Sequence, residues 1–115
     1  MQDEPVIISA KQTIALQAHA IAALEAFINE DFSKAVKMLS HSDGGRLIIS
    51  GIGKSALVAQ KIVATMNSTG TPSIFMHAAD AIHGDLGMIQ QKDIVLVISK
   101  SGDSPEIKVL TPLVT

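Results

Sequence analysis

Two short segments of the sequence carry residue types that can bind an anion. The first, Gly51-Ile-Gly-Lys-Ser55, places two glycines, a cation and a hydroxyl within five residues. Glycines allow the sharp turn that brings backbone N–H groups close to a ligand. A helix that starts there adds unpaired N–H groups and a partial positive charge. This segment therefore predicts a seat for an anion such as a phosphate.

The second segment is Ser99-Lys-Ser-Gly-Asp-Ser-Pro-Glu106, which follows an apolar stretch. Its three serines and its glycine can turn several hydroxyls and backbone N–H groups towards one anion. Pro105 suits the first residue of a helix, so Glu106 falls in the first helical turn. A carboxylate at that place is a candidate general base or acid, although it is also ordinary helix-start chemistry.

The elements that must position these segments alternate along the chain. Apolar stretches at 47–49, 73–76 and 94–98 predict strands, and apolar spacing predicts a helix from Lys54 to about Asn67. Such alternation indicates an α/β fold with a parallel, Rossmann-like sheet flanked by helices. Ligands of such sheets bind at the carboxyl ends of the strands, where we expect the loops 50–55, 77–83 and 99–106.

Before the first strand the sequence predicts a loose tail at 1–8 and then two helices. The first is expected from Ala10, after an N-cap at Ser9, to about Asn29, and the second over about 31–40. Residues 9–115 would thus form one domain. Two helices exceed what a small sheet needs for cover, so they pack either on another subunit or as a lid on the domain's own core.

The composition of the 115 residues excludes several classes of function. The net charge of -2 and the lack of a Lys/Arg cluster argue against a nucleic-acid surface. No apolar run is long enough for a membrane span. The absence of cysteine excludes a disulfide framework, and the acidic N-terminus does not have the pattern of a signal peptide.

Two other phosphate loops fit the first segment poorly. A Walker loop would need a glycine where Ile48 stands, inside the expected strand. Gly51-Ile-Gly-Lys-Ser-Ala56 fits the dinucleotide pattern with alanine last, but the next strand ends at Met76-His77 without the acid that would bind a ribose hydroxyl.

The serine segment resembles the phosphosugar loop of the sugar isomerase (SIS) domain, which has the form Ser-x-Ser-Gly-x-Ser/Thr-x-Glu. Together with Gly51–Ser55, Ser68-Thr-Gly-Thr-Pro72 and His83-Gly-Asp-Leu-Gly87, the chain is similar to the arabinose-5-phosphate isomerases of that family. The resemblance implies interconversion of D-ribulose 5-phosphate and D-arabinose 5-phosphate through an enediol, which feeds the synthesis of Kdo, a lipopolysaccharide sugar. It implies no required cofactor, a cytoplasmic location, and a homo-oligomer, usually a tetramer.

The resemblance also assigns residues. It implies Lys54, Glu106 and His83 as catalytic residues, with Lys54 stabilising the enediolate. The substrate and phosphate contacts that it implies are Gly53, Ser55, Gly70, Thr71, His77, His83, Ser99, Ser101 and Ser104. His77 could also take an inhibitory zinc ion, although one histidine alone is a poor metal site.

Other interpretations stay open on the sequence alone. The family domain continues past the equivalent of Thr115, so we expect a sheet that is incomplete at the C-terminus and a 115-residue chain that is inactive by itself. A non-catalytic sugar-phosphate sensor would keep the serine loop but could dispense with Lys54 or Glu106. An isomerase of another sugar phosphate, such as sedoheptulose 7-phosphate, fits the same residues.

Overall fold

The computed structural model describes residues 4–41 and 44–114 of the chain. The chain divides into two compact units, Met1–Met38 and Leu39–Thr115. Within the described residues, no helix is both long enough and apolar enough to cross a bilayer.

The first unit is helical and begins earlier than predicted. Helix α1 runs over Glu4–Ala23, so the loose tail predicted for 1–8 is wrong for residues 4–8, while residues 1–3 lie outside the described part. Pro5 is tolerated in a first helical turn, and the Glu4 carboxylate there suits the helix dipole. Ser9 is therefore not an N-cap. It lies inside α1, where its carbonyl accepts the Thr13 hydroxyl at 3.0 Å.

Helix α1 also ends earlier than predicted, because a second helix is capped close behind it. A 3-10 turn follows at Leu24–Phe27, and helix α2 spans Glu30–Ser40. The Asn29 side chain accepts the backbone N–H groups of Asp31 at 3.0 Å and Phe32 at 3.4 Å. This N-cap competes with continuation of α1 and fixes the start of α2.

The second unit is a three-stranded parallel sheet with helices between the strands. Strands β1 (Leu47–Gly51), β2 (Ser73–His77) and β3 (Ile94–Val97) lie in the order β2-β1-β3. Helix α3 covers Lys54–Ser68, α4 covers Ala78–Ile82, and α5 covers Pro105–Val114; a 3-10 turn lies at Asp85–Met88. The predicted parallel α/β architecture is confirmed, and α5 begins at Pro105 as predicted.

Both faces of the central strand are buried. On one face, Leu47 and Ile49 pack against Ala59 of α3, with Ile62, Val63 and Met66 around them. On the other, Ile48 packs with residues of α4 and α5, including Ala78, Ala81, Ile107 and Leu110. The apolar spacing of α3 predicts Leu57 and Val58 on its inner side, but both are exposed, because the buried side runs through Ala56 and Ala59 instead.

The amino end of the sheet is held by an ion pair between the residues that precede β1 and β3. Arg46 Nη2 lies 2.7 Å from Asp93 Oδ2, and the Asp93 side chain is 1% exposed. The same carboxylate accepts the backbone N–H groups of Arg46 at 3.0 Å and Gln90 at 2.7 Å. The side-chain hydrogen bond from Arg46 contributes most to holding the pKa of Asp93 well below its ordinary value, and the backbone hydrogen bonds lower it further. The Asp93 hydrogen bond raises the pKa of Arg46.

Candidate functional site

The sheet register brings the three predicted site loops to one edge. Gly51 at the end of β1 lies beside His77 at the end of β2. Ser50 lies beside Val97, the last residue of β3, and its carbonyl accepts the Ile98 N–H at 2.9 Å. All three loops therefore leave the carboxyl end of the sheet from neighbouring strands, which is where ligands of open parallel sheets bind.

Two glycines set the shape of the first loop. A Cβ added to Gly51 would lie 3.0 Å from the Ser55 carbonyl carbon, so the loop turns back closely on the start of α3. Gly53, the N-cap of α3, has φ 60° and ψ −132°, a conformation that other residues reach only with strain. The backbone therefore passes directly from β1 into the N-terminus of α3, and Ser55, half-buried, lies in its first turn.

Lys54 is the first residue of α3 and is exposed. No acidic side chain in the described part of the chain forms an ion pair with it. A cation there opposes the positive end of the helix dipole, which disfavours this position for a purely structural lysine. The arrangement leaves the ammonium available to an anionic ligand at the carboxyl edge.

The serine loop between β3 and α5 is organised by its own hydroxyls. Ser99 Oγ accepts the Gly102 N–H at 2.9 Å, and Ser101 Oγ accepts the Asp103 N–H at 3.1 Å. Because each hydroxyl acts as acceptor within the loop, its O–H remains able to donate to an anion. Glu106 follows half-buried in the first turn of α5.

Ser104 precedes α5 but does not cap it with its side chain. Its carbonyl accepts the Lys108 N–H at 3.1 Å, whereas its hydroxyl oxygen is buried and has no partner among the described residues. An ordinary N-cap hydroxyl accepts a first-turn N–H. The N–H groups of the first turn of α5 therefore stay available to a ligand.

His77 ends β2 and caps the next helix. Its Nδ1 accepts the Ala79 N–H at 3.1 Å, so the neutral ring carries its proton on Nε2. Its ring meets the edge of Phe75 at a centroid distance of 6.2 Å. Among residues 4–41 and 44–114, no three His, Cys, Asp or Glu side chains lie together in a way that could hold a metal. Zinc at His77 stays a prediction.

His83 lies on the same connection as His77, one short helix further on. It follows α4 directly, is exposed, and its backbone N–H donates to the Asp80 carbonyl at 3.1 Å. Its imidazole has no hydrogen-bond partner in the described part of the chain. The ring is thus free to meet a ligand beyond the carboxyl edge.

Gly70 and Thr71 are not brought together with the other predicted site residues. They precede β2 and so lie at the amino edge, where they line a cavity of about 260 Å³ with Leu47, Pro72 and Ile94. The Thr71 N–H closes the end of α3 by donating to the Met66 carbonyl at 2.9 Å. Their observed role is that of a helix stop, and substrate contact by this pair stays a prediction.

Ser50 is a further candidate residue that was not predicted from the sequence. This serine is fully buried in the central strand, and its hydroxyl has no partner among the described residues. The signal was present in the sequence, because a hydroxyl stands directly after three branched apolar residues, in a strand expected to be buried on both faces. Unpaired buried hydroxyls are uncommon and call for an explanation.

Comparison with known proteins is consistent with this geometry. The model of the SIS domain family matches residues 38–115. The chain is 48% identical, over 98% of its length, to the arabinose 5-phosphate isomerase KdsD of Pseudomonas aeruginosa, and covers 34% of that protein. It is 40% identical, over 95% of its length, to the arabinose 5-phosphate isomerase GutQ of Escherichia coli K12, again covering 34%.

A solved structure shares the fold. The c3406 protein of Escherichia coli CFT073, in complex with A5P, superposes with a TM-score of 0.87 at 36% identity, covering 98% of this chain and 60% of that one. The chain thus spans about a third of the length of the curated relatives it matches. On its matched residues, its parallel sheet and its serine loop, the chain belongs to the SIS domain family.

Proposed function

We propose that this chain forms part of an aldose–ketose isomerase that interconverts D-arabinose 5-phosphate and D-ribulose 5-phosphate. The observation that supports this most is the meeting of the glycine loop and the serine loop at one sheet edge, with Lys54 and Glu106 on the helices that follow them. The similarity to proteins named arabinose 5-phosphate isomerase supports the choice of sugar.

The phosphate is proposed to bind between the two loops. Gly53 and Ser55 offer a backbone N–H and a hydroxyl, and the serine loop offers hydroxyls from Ser99, Ser101 and Ser104. The N-termini of α3 and α5 add partial positive charge at the same edge. Holding the ionic end of the sugar here fixes its other end relative to Lys54 and Glu106, which removes much of the entropic cost of the reaction.

The proposed reaction moves hydrogen between two carbons without a change in overall oxidation state. The Glu106 carboxylate takes the proton from C2 of the open-chain aldose, the C2–H electron pair forms the C1–C2 double bond, and the C1 carbonyl oxygen becomes an enediolate oxygen. Lys54 stabilises that charge. The proton on O2 then passes to O1, the protonated Glu106 returns a proton to C1, and a ketone forms at C2 while C1 becomes a CH2OH group. The sum is redox-neutral, so we propose that no redox cofactor is required.

His83 and His77 are proposed to serve the sugar rather than the phosphate. His83 is exposed beyond α4 and can exchange a proton between the two sugar oxygens, because the two nitrogens of an imidazole ring can accept and donate protons. His77 presents an Nε2 proton that can donate to a sugar hydroxyl while its Nδ1 stays bonded to Ala79.

The test is a panel of pentose, hexose and heptose phosphates given to the gene product that contains this chain. Turnover of D-arabinose 5-phosphate, with exchange of solvent deuterium into the product, supports the proposal. Binding without turnover or exchange would make the chain a sugar-phosphate sensor instead. Preferred turnover of sedoheptulose 7-phosphate would keep the chemistry and change the substrate.

We further propose that α1 and α2 join copies of the protein into a homo-oligomer, a tetramer by family resemblance. Helix α1 has no buried residue among those described, although Ile14 and Ile21 repeat on it at helical spacing. Sedimentation tests this: a strict monomer would leave cover of the domain's own core as the role of these helices. A cytoplasmic location and a supply of product to Kdo synthesis belong to the same proposal.

A further inference from the structure

Two buried hydroxyls without partners lie on the same side of the sheet. Of the described residues, only Ser50 and Ser104 have a buried side-chain oxygen or nitrogen that makes no hydrogen bond. Ser50 is 0% exposed. Leaving a buried hydroxyl unpaired destabilises the folded state relative to a paired one. Alanine or valine would fill a strand position of this kind without that cost, so the hydroxyl of Ser50 calls for a partner in some state of the protein.

The orientation of Ser50 follows from the pleat of β1. Alternate residues of a strand face the same side, and both Ile48 and Ile52 belong to the cluster formed with Ile107 and Leu110 of α5. Ser50 lies between them and faces the same way. Its strand neighbours Met76 and Val97 are also in or against that cluster. The Ser50 hydroxyl therefore lies beneath α5, in the layer next to the carboxyl edge.

Ser104 lies at the start of α5, the helix that packs over this layer. The chain leaves β3 beside Ser50, where the Ile98 N–H donates to the Ser50 carbonyl at 2.9 Å, and returns through the serine loop into α5. Ser104 is the last residue before α5, and its hydroxyl oxygen is buried and makes no hydrogen bond to the first-turn N–H groups. A buried hydroxyl at the start of a helix that packs over Ser50 is a natural partner for it.

We propose that Ser50 is a positioning residue for the phosphate loop, which acts through Ser104. When an anion occupies the N-terminus of α5, the Ser104 O–H donates to an anion oxygen, and the Ser104 lone pairs accept the Ser50 O–H. A hydroxyl can do both at once, and hydrogen bonds in such a chain strengthen one another in a low-dielectric interior. The inference rests on the proposed function for the identity of the anion, a sugar phosphate, but not for the coupling itself.

Substitution of Ser50 should affect the stability of the free protein and its affinity for phosphate in different ways. Ser50→Ala removes a hydroxyl that is unpaired in the free protein, so the melting temperature of the free protein should stay the same or rise. The same change removes a hydrogen bond from the bound state. The Kd for D-arabinose 5-phosphate and for inorganic phosphate should therefore rise about 3- to 10-fold.

Ser73→Ala is the matched control at the opposite edge. Ser73 is also a buried strand serine, 8% exposed, but its hydroxyl donates to the Thr71 carbonyl at 3.0 Å. Its loss should lower the melting temperature and leave the Kd for phosphate unchanged. If Ser50→Ala behaves like Ser73→Ala, the Ser50 hydroxyl has a permanent structural partner and the proposal is wrong.

A double-mutant cycle tests whether Ser50 acts through Ser104. In a Ser104→Ala background, Ser50→Ala should have little further effect on Kd. Full additivity of the two changes would overturn the coupling. Phosphate binding with the expected coupling but without isomerase turnover would refute the proposed reaction alone, while turnover with an unaltered Kd in Ser50→Ala would refute this inference alone.

Discussion

The two edges of the sheet differ in how their polar groups are used. At the amino edge, Asp93 accepts bonds from Arg46 and Gln90, and the Asn67 side chain bonds both the N–H and the carbonyl of Ser73, at 2.7 and 3.0 Å. At the carboxyl edge, Lys54 has no ion pair within the described residues, and the Ser50 and Ser104 hydroxyls have no partner there.

This difference separates stability from ligand binding within a single small sheet. Polar groups that satisfy each other lower the energy of the fold, whereas groups that stay unpaired have bonding capacity for a ligand at a cost in stability. We therefore expect substitutions at the amino edge to change melting and substitutions at the carboxyl edge to change binding or turnover. The following predictions test that separation, from the largest expected effect to the smallest.

Substitution of the proposed base should give the largest effect on turnover. Glu106→Gln keeps the size and hydrogen bonding of the side chain but removes its ability to take a proton, so kcat should fall about 1000-fold. The melting temperature should change little, because Glu106 is only half-buried. Steady-state kinetics with D-arabinose 5-phosphate measures this, and a loss below tenfold would remove Glu106 from the chemistry.

Lys54→Ala should lower kcat about 100-fold or more, because the enediolate loses its cation. Lys61→Ala is the matched control: this lysine lies on the same helix α3 and is also exposed, but it is one to two turns from the carboxyl edge. Equal kinetic effects of the two substitutions would mean that only the general charge of α3 matters, and the role given to Lys54 would fail.

At the amino edge, Asp93→Asn should lower the melting temperature by about 10 °C, since it breaks a buried charged network and leaves donors without their acceptor. The Kd for sugar phosphate should not change. Asp85→Asn, at an exposed aspartate, serves as control for the loss of one negative charge. A Kd that weakens in Asp93→Asn as strongly as in a serine-loop variant would abolish the separation of the two edges.

The Asp93 carboxylate should also make the stability of the fold depend on pH. The folded state lowers the pKa of Asp93 below the 3.8 of an unperturbed side chain, so the unfolded state binds its proton first as pH falls. The stabilisation that the ionised Asp93 gives to the fold is complete above the unperturbed pKa of 3.8. It is lost as the pH falls below 3.8 towards the lower pKa of the folded state. Melting curves of the wild type and Asp93→Asn should therefore differ by a constant amount from pH 7 to about pH 5 and converge below about pH 4.

The smallest effect concerns the first loop. Gly53→Ala forces a side chain into a backbone with φ 60° and ψ −132°, which should cost about 1–3 kcal/mol of stability and weaken phosphate binding several-fold. Gly87→Ala, where a Cβ would meet nothing within 4 Å, is the control. Indistinguishable melting and binding for the two variants would show that the shape of this loop tolerates change.

Much of the fold could be predicted from local patterns. The three strands, helix α3 and the start of α5 follow from apolar stretches, glycines and Pro105. These signals can be read from the sequence because each determines the conformation of residues next to it in the chain. The first unit was predicted less well. Helix α1 begins at Glu4 and ends at Ala23, where Ala10 and Asn29 were predicted. The second helix lies close to its predicted range, because Asn29 caps its start.

The candidate site divides in the same way. Its loops and most of its residues could be named from the serine and glycine motifs. Gly70 and Thr71 precede the second strand, so a parallel sheet places them at the amino edge, away from the residues with which the resemblance groups them. Ser50 could not be seen as unpaired without the packing of α5. Whether a polar group has a partner depends on residues far away along the chain, as with Arg46 and Asp93, 47 positions apart.

The sequence by itself determined which segments turn, which are buried and where an anion could be held, because these properties depend on residue type and short spacing. Only the tertiary structure decided which polar groups are already bonded to each other. Hydrogen-bond pairing depends on the tertiary structure because a hydrogen bond requires two atoms within about 3 Å of each other. The pairing of parallel strands brings together residues that are far apart in the sequence and that no local pattern connects.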